Sequence, residues 1–85
     1  MSYFVIYTSE NCIWCDKAKA LLDANKIPYI EHDIIQSIDS KRTLKSLAPN
    51  TKTLPQIFYD SYHIGGYDEL LKLSNYELQQ IIGGK

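Results

Sequence analysis

Two residues of this 85-residue chain stand out for their chemistry. Cys12 and Cys15 are its only cysteines, and they enclose Ile13-Trp14 in a C-x-x-C. A disulfide between them closes a loop of four residues, which on the chain-entropy model constrains the unfolded state by only ~2 kcal/mol, against ~3 for a fifteen-residue loop. Small disulfide-stapled domains use several long-range bridges, and this chain has none to offer. A structural zinc site needs four ligands. The remaining candidates, His32 and His63, stand 31 positions apart, and there is no second C-x-x-C. A redox dithiol is the reading that needs nothing further, provided the pair sits where one thiol can be activated.

The elements around the pair meet that condition. Tyr3-Phe4-Val5-Ile6-Tyr7 is β-branched and aromatic throughout, the pattern of a strand buried on both faces. Thr8-Ser9-Glu10-Asn11 supplies turn and N-cap chemistry directly before the cysteines. From about Ile13 to Asn25 the pattern is helical, with Ala18, Leu21 and Leu22 on one stripe. Cys12 therefore falls at the helix start, and Cys15 lies on the inward stripe. The unpaired amides and partial positive charge of a helix start favour a thiolate at Cys12, lowering its pKa from the free value of about 8.5. Cys12 is the expected nucleophile toward a disulfide and Cys15 the resolving thiol.

Further along, Pro28 precedes a strand over Tyr29–Ile34, where Ile30, His32 and Ile34 alternate with Tyr29, Glu31 and Asp33. A second helix is expected from Ser37 or Asp39 to Ala48, with Leu44, Leu47 and Ala48 on one face and Pro49-Asn50 ending it. Gln56–Tyr59 and Tyr62–Ile64 read as a hairpin around Asp60-Ser61. Gly65-Gly66 separates it from a short helix containing Leu70, Leu71 and Leu73. Ser74-Asn75-Tyr76-Glu77 has capping-box spacing and opens a last turn or two through Ile82, before a frayed Gly83-Gly84-Lys85. The order is β-α-β-α-β-β-α. A right-handed parallel crossover followed by an antiparallel hairpin gives a central four-stranded mixed sheet. With C-x-x-C at the first strand-to-helix junction, the expected fold is α/β, the three-layer α/β/α thioredoxin-like arrangement.

Composition limits the alternatives. The length argues for a single domain, and a hydrophobic fraction of 45% is that of a globular one. Nine basic against ten acidic residues, with no basic run, argue against a nucleic-acid footprint. The longest apolar run, five residues, cannot span a bilayer. No charged-then-apolar leader is seen, so a cytoplasmic protein without membrane partners is expected.

Two further stretches carry a resemblance. Thr53-Leu54-Pro55-Gln56-Ile57-Phe58 is similar to the T-V-P-x-[IV]-F segment of glutaredoxins, and His63-Ile64-Gly65-Gly66-Tyr67-Asp68-Glu69-Leu70 to their H-I-G-G-x-D-[DE]-L segment. With Tyr7-Thr8 and the C-x-x-C, the match is collinear from residue 3 to about 73, and residues 1–85 read as one domain resembling a small dithiol glutaredoxin.

The resemblance implies a glutathione-dependent thiol–disulfide oxidoreductase that reduces protein disulfides and glutathione mixed disulfides through Cys12 and Cys15. It implies a cis bond before Pro55, which turns the Leu54 N–H and C=O outward for a cysteine-containing peptide to pair with. Taken without it, Pro55 could simply start an edge strand. The amides near Gly66, Tyr67 and Asp68 would hold the γ-glutamyl carboxylate of glutathione, and the Asp68 carboxylate its ammonium. Lys52, beside Thr53, falls near the glycine carboxylate, although an isolated surface lysine needs no ligand. Trp14 matches an exposed aromatic wall; a core-packed Trp is the alternative. Implied partners are glutathione and disulfide-bonded or glutathionylated proteins, ribonucleotide reductase among them, met by a monomer.

Two positions depart from the family pattern. Ile13 stands where Pro is usual, and members lacking that Pro include some that bridge a [2Fe–2S] cluster between monomers, which here would engage Cys12. That leaves a cluster carrier or sensor as an alternative, beside a thioredoxin-reductase-fed electron donor lacking the glutathione site. Ser9 stands where many members carry Lys, and loss of that cation should depress the Cys12 pKa less.

Overall fold

The computed structural model describes residues 3–73 together with Glu77 and Gln80. The strands are β1 (Phe4–Thr8), β2 (Tyr29–Asp33), β3 (Gln56–Tyr59) and β4 (Tyr62–Gly65), and the helices are α1 (Ile13–Ala24), α2 (Ile38–Leu47) and α3 (Tyr67–Lys72). The expected capping box at Ser74–Glu77 and the turns through Ile82 lie outside the described residues, Glu77 and Gln80 apart.

One mixed sheet forms in the order β2-β1-β3-β4. β1 and β2 are parallel, linked by α1 as the crossover, whereas β1·β3 and β3·β4 are antiparallel. Because side chains alternate along a strand, β1 serves two cores at once. Phe4 and Ile6 pack with Ala18, Leu22, Ile57 and Leu70, the layer under α1 and α3. Tyr7 and Phe58 pack with Leu44 and Ala48, the layer under α2. The sheet with helices on both faces is the three-layer thioredoxin-like fold.

The sequence pattern departs from the structure in three places. The preceding polar residues do not cap α1. Cys12 does so itself, with extended backbone (φ −104°, ψ 101°) and its Sγ accepting from the Cys15 amide. Asn11, in the left-handed region at φ 57°, makes the turn that allows this. Leu47 is 48% exposed, since α2 lies on the sheet through Leu44 and Ala48 alone. Ile30 is also exposed, at 39%, on β2, which is an edge strand of the sheet. Of the two starts the sequence offers for α2, the structure takes Ser37 as the cap, its hydroxyl accepting from the Ser40 amide at 3.1 Å.

Candidate active site

β1 is buried except at the half-buried Val5 and delivers the chain to the cysteine turn. Its last residue, Thr8, is 1% exposed, and its hydroxyl donates to Glu31 Oε2 at 2.7 Å. Lys19 on α1 donates to the same oxygen at 3.0 Å. One carboxylate thus joins the end of β1, the edge strand β2 and the second turn of α1, bracing the turn that carries Cys12. The Thr8 hydroxyl holds the Glu31 carboxyl below its ordinary pKa, against some desolvation, and Lys19 adds to the effect.

Cys12 and Cys15 are joined as a disulfide, with Cα atoms 5.2 Å apart. The two sulfurs are not equivalent. Cys12 is half-buried, and its Sγ takes the Cys15 N–H at 3.1 Å, whereas Cys15 is 1% exposed against the core. An incoming sulfur meets Cys12 first. The amide at 3.1 Å is one of the unpaired donors of a helix start, ready to hold a thiolate when the bond is reduced.

A cleft of about 290 Å³ opens at Trp14, the residue between the two cysteines, although neither cysteine is among those that line it. Seven of the residues singled out in the sequence line it: Trp14 from α1, Thr53, Leu54 and Pro55 from the loop before β3, and Gly66, Tyr67 and Asp68 at the start of α3. Trp14 is 53% exposed, which excludes the core-packed alternative, and faces Tyr67 with ring centroids 5.7 Å apart. Lys17 lies over the same indole, its Nζ 5.2 Å from the Trp14 ring centroid. The Leu54–Pro55 bond is cis, as the resemblance implies. No backbone hydrogen bond among the described residues outside the helices and strands uses the Leu54 amide or carbonyl, so both remain open to an extended ligand. Lys52 does not line this cleft. It lies in a neighbouring groove that shares Thr53 and Leu54.

Two features, one in the cleft and one behind its loop, were not singled out from the sequence. Glu69 is the eighth lining residue. Its Oε1 accepts the Gly66 N–H at 2.8 Å, a bond that holds its pKa below the ordinary value. The signal was available, since Gly66 and Glu69 have the Ncap-to-N3 spacing of a capping box. Gln56 is 4% exposed and donates to the Thr53 carbonyl at 3.0 Å, while its Oε1 lies 2.7 Å from His63 Nε2. A Gln oxygen only accepts, so His63 presents Nε2–H to it. No periodicity announces this contact.

Among the described residues no group of three or more His, Cys, Asp or Glu could hold a metal ion. Cys15 is buried, which leaves Cys12 as the accessible thiol of the pair, the residue that a cluster bridged between two monomers would engage. No helix among the described residues is long and apolar enough to cross a membrane.

Comparison with known proteins agrees with this geometry. Glutaredoxin 1 of Rickettsia bellii is 43% identical over 72 residues, covering 81% of this chain and 74% of that protein. Glutaredoxin 3 of Escherichia coli is 38% identical over 73 residues, covering 86% and 87%. The solution structure of a glutaredoxin from Brucella melitensis superposes with a TM-score of 0.75 at 29% identity, covering 98% of this chain and 92% of that one. The Glutaredoxin family model matches residues 4–64, from the first strand through the cysteine pair and the cis-proline loop into β4. A dithiol with one accessible sulfur, set in that frame, is a thiol–disulfide oxidoreductase site, and the chain belongs to the glutaredoxin family.

Proposed function

We propose that the protein reduces glutathione mixed disulfides and protein disulfides in the cytoplasm, with glutathione as its reductant. The observation that carries this reading is the inequality of the two sulfurs beside an open cleft: Cys12 half-buried at a helix start, Cys15 buried behind it. In the first reaction the Cys12 thiolate attacks the glutathione sulfur of a mixed disulfide. The Cys12–glutathione bond forms, the original disulfide breaks, and the released thiolate takes a proton from water. A second glutathione thiolate then attacks the bound glutathione sulfur, leaving as glutathione disulfide and freeing Cys12. With a protein disulfide, Cys12 forms the mixed disulfide with the substrate and Cys15 displaces it. The product is the Cys12–Cys15 disulfide, which two glutathione molecules reopen in succession.

Glutathione fits the cleft by its chemistry. Its cysteine backbone is extended and pairs with the open Leu54 groups. Its γ-glutamyl end meets the first amides of α3 and the Asp68 carboxylate, and its body lies against the Trp14–Tyr67 wall. Lys52, in the adjoining groove, is on the side left for the glycine carboxylate. The test is reduction of a glutathione mixed disulfide by the Cys15→Ser and Cys12→Ser variants. Retention of activity by the first and its loss in the second is expected. Complete loss in Cys15→Ser would overturn the assigned roles.

A further inference from the structure

We propose that the groove next to the cleft docks an acidic stretch of polypeptide flanking the reacting cysteine of a protein substrate. This rests on the oxidoreductase function proposed above and names the substrate class it favours. The groove has a volume of about 180 Å³ and is floored by Leu44 and Ala48 under α2. Its rim carries three lysines, Lys41 and Lys45 from α2 and Lys52 from the following loop. Nothing else in the fold uses these charges: no ion pair among the described residues engages them, and the pairs that do form centre on Lys19.

The charge is local. The chain as a whole carries a formal charge of −1, yet residues 40–59 hold Lys41, Arg42, Lys45 and Lys52 and no acidic residue. Glutathione alone has too few carboxylates to account for such a rim, since its glycine carboxylate would meet Lys52 and leave the two α2 lysines unmatched. Position supplies the rest of the argument. Thr53 and Leu54 line both the cleft and the groove. A substrate chain pairing with the open Leu54 groups, with its cysteine toward Cys12, therefore leaves the cleft across Lys41 and Lys45. Acidic residues there gain charge complementarity, and apolar stems or neighbours cover Leu44 and Ala48.

The test uses peptides of equal length, each closed by one internal disulfide whose reacting cysteine is flanked by acidic, by neutral polar or by basic residues. The wild-type protein should reduce the acidic peptide about five- to ten-fold faster in kcat/KM than the neutral one, with the gap closing at high salt. The Lys41→Gln/Lys45→Gln variant should treat the two alike while reducing the mixed disulfide of glutathione and 2-mercaptoethanol at the wild-type rate. An acidic-to-neutral ratio of one in the wild type, or a ratio that survives in the variant, overturns the proposal. A second arm follows backbone amide shifts on adding the acidic peptide with serine in place of cysteine. Shifts centred on α2 and Thr51 support the groove even if no disulfide substrate is reduced, an outcome that would sink the oxidoreductase reading instead. The same shifts produced by glutathione, with none from the peptide, assign the lysines to glutathione and overturn the proposal.

Discussion

Gln56 Oε1 sits 2.7 Å from His63 Nε2, a contact that ties the edge strand β4 to the first residue of β3. The other end of the same amide donates to the Thr53 carbonyl at 3.0 Å, so β4 and the cis-proline loop are held through one buried side chain. His63 is itself fixed by stacking on Phe58, ring centroids 4.5 Å apart and 15° from parallel. Gln56→Leu keeps the bulk and removes these bonds together with a third, from Gln56 Nε2 to Thr53 Oγ1 at 3.3 Å. It should cost about 1–2 kcal/mol in chemical denaturation. It should also raise KM for a glutathione mixed disulfide several-fold with kcat little changed, since the loop that receives the substrate loses its anchor.

Glu31 makes a pH-dependent contribution to stability. Its folded pKa is depressed, chiefly by the Thr8 hydroxyl and then by Lys19. The stabilisation is therefore present above the unfolded value of about 4.3 and is lost as pH falls through the folded value. With the carboxylate side chain 38% exposed, the effect is modest. Glu31→Gln should lower stability by about 1 kcal/mol at neutral pH, and the gap to wild type should shrink in acid. Urea denaturation at pH 7 and near pH 3 tests both halves.

The two glycines before α3 should respond differently to a methyl group. Gly65 sits at φ +121°, and a Cβ there would lie 2.8 Å from Glu69 Cγ. Gly65→Ala should cost about 1–3 kcal/mol through backbone strain and displacement of the Glu69 cap. At Gly66 the added Cβ would stand 3.3 Å from Glu69 Oε1 and 3.4 Å from the Pro55 carbonyl oxygen. Gly66→Ala should fold with a smaller penalty and lose more activity than stability, because the methyl group projects into the cleft. Thermal melts and mixed-disulfide kinetics on both variants separate the two effects.

Removing the aromatic wall should affect binding rather than folding. Trp14 is 53% exposed and meets Tyr67 across the cleft mouth. Trp14→Ala should change stability by no more than about 0.5 kcal/mol. It should raise KM for a glutathione mixed disulfide ~3–10-fold, with Trp14→Tyr close to wild type. Equal losses in kcat and kcat/KM would instead place the indole at the transition state.

The parts of this molecule legible in its sequence are those set by period and by local chain chemistry. Apolar β-branched and aromatic runs located β1 and the hairpin, the i, i+3, i+4 stripe located α1, and the cysteine spacing with the two flanking segments located the cleft. Contacts between side chains far apart in sequence were not legible. Glu31 looked like one member of an alternating strand, and its role appears only when Thr8 and Lys19 arrive from other elements. The capping of α1 by a cysteine was missed because the preferred cap residues stand just before it, and the left-handed turn at Asn11 spends them on the approach instead. Leu47 matched the helical stripe, but a helix lying on a sheet through two residues leaves its flank in water.

Trp14 has a consequence for anyone who handles this protein. It is the single tryptophan of the chain and lies between the two cysteines, within the loop that the disulfide closes. Disulfides quench indole emission at short range, and no second indole competes for the signal. The protein therefore carries its own optical gauge of oxidation: emission should rise as the bond opens and fall as it closes. Turnover and redox titration can be followed by light alone, on unlabelled protein.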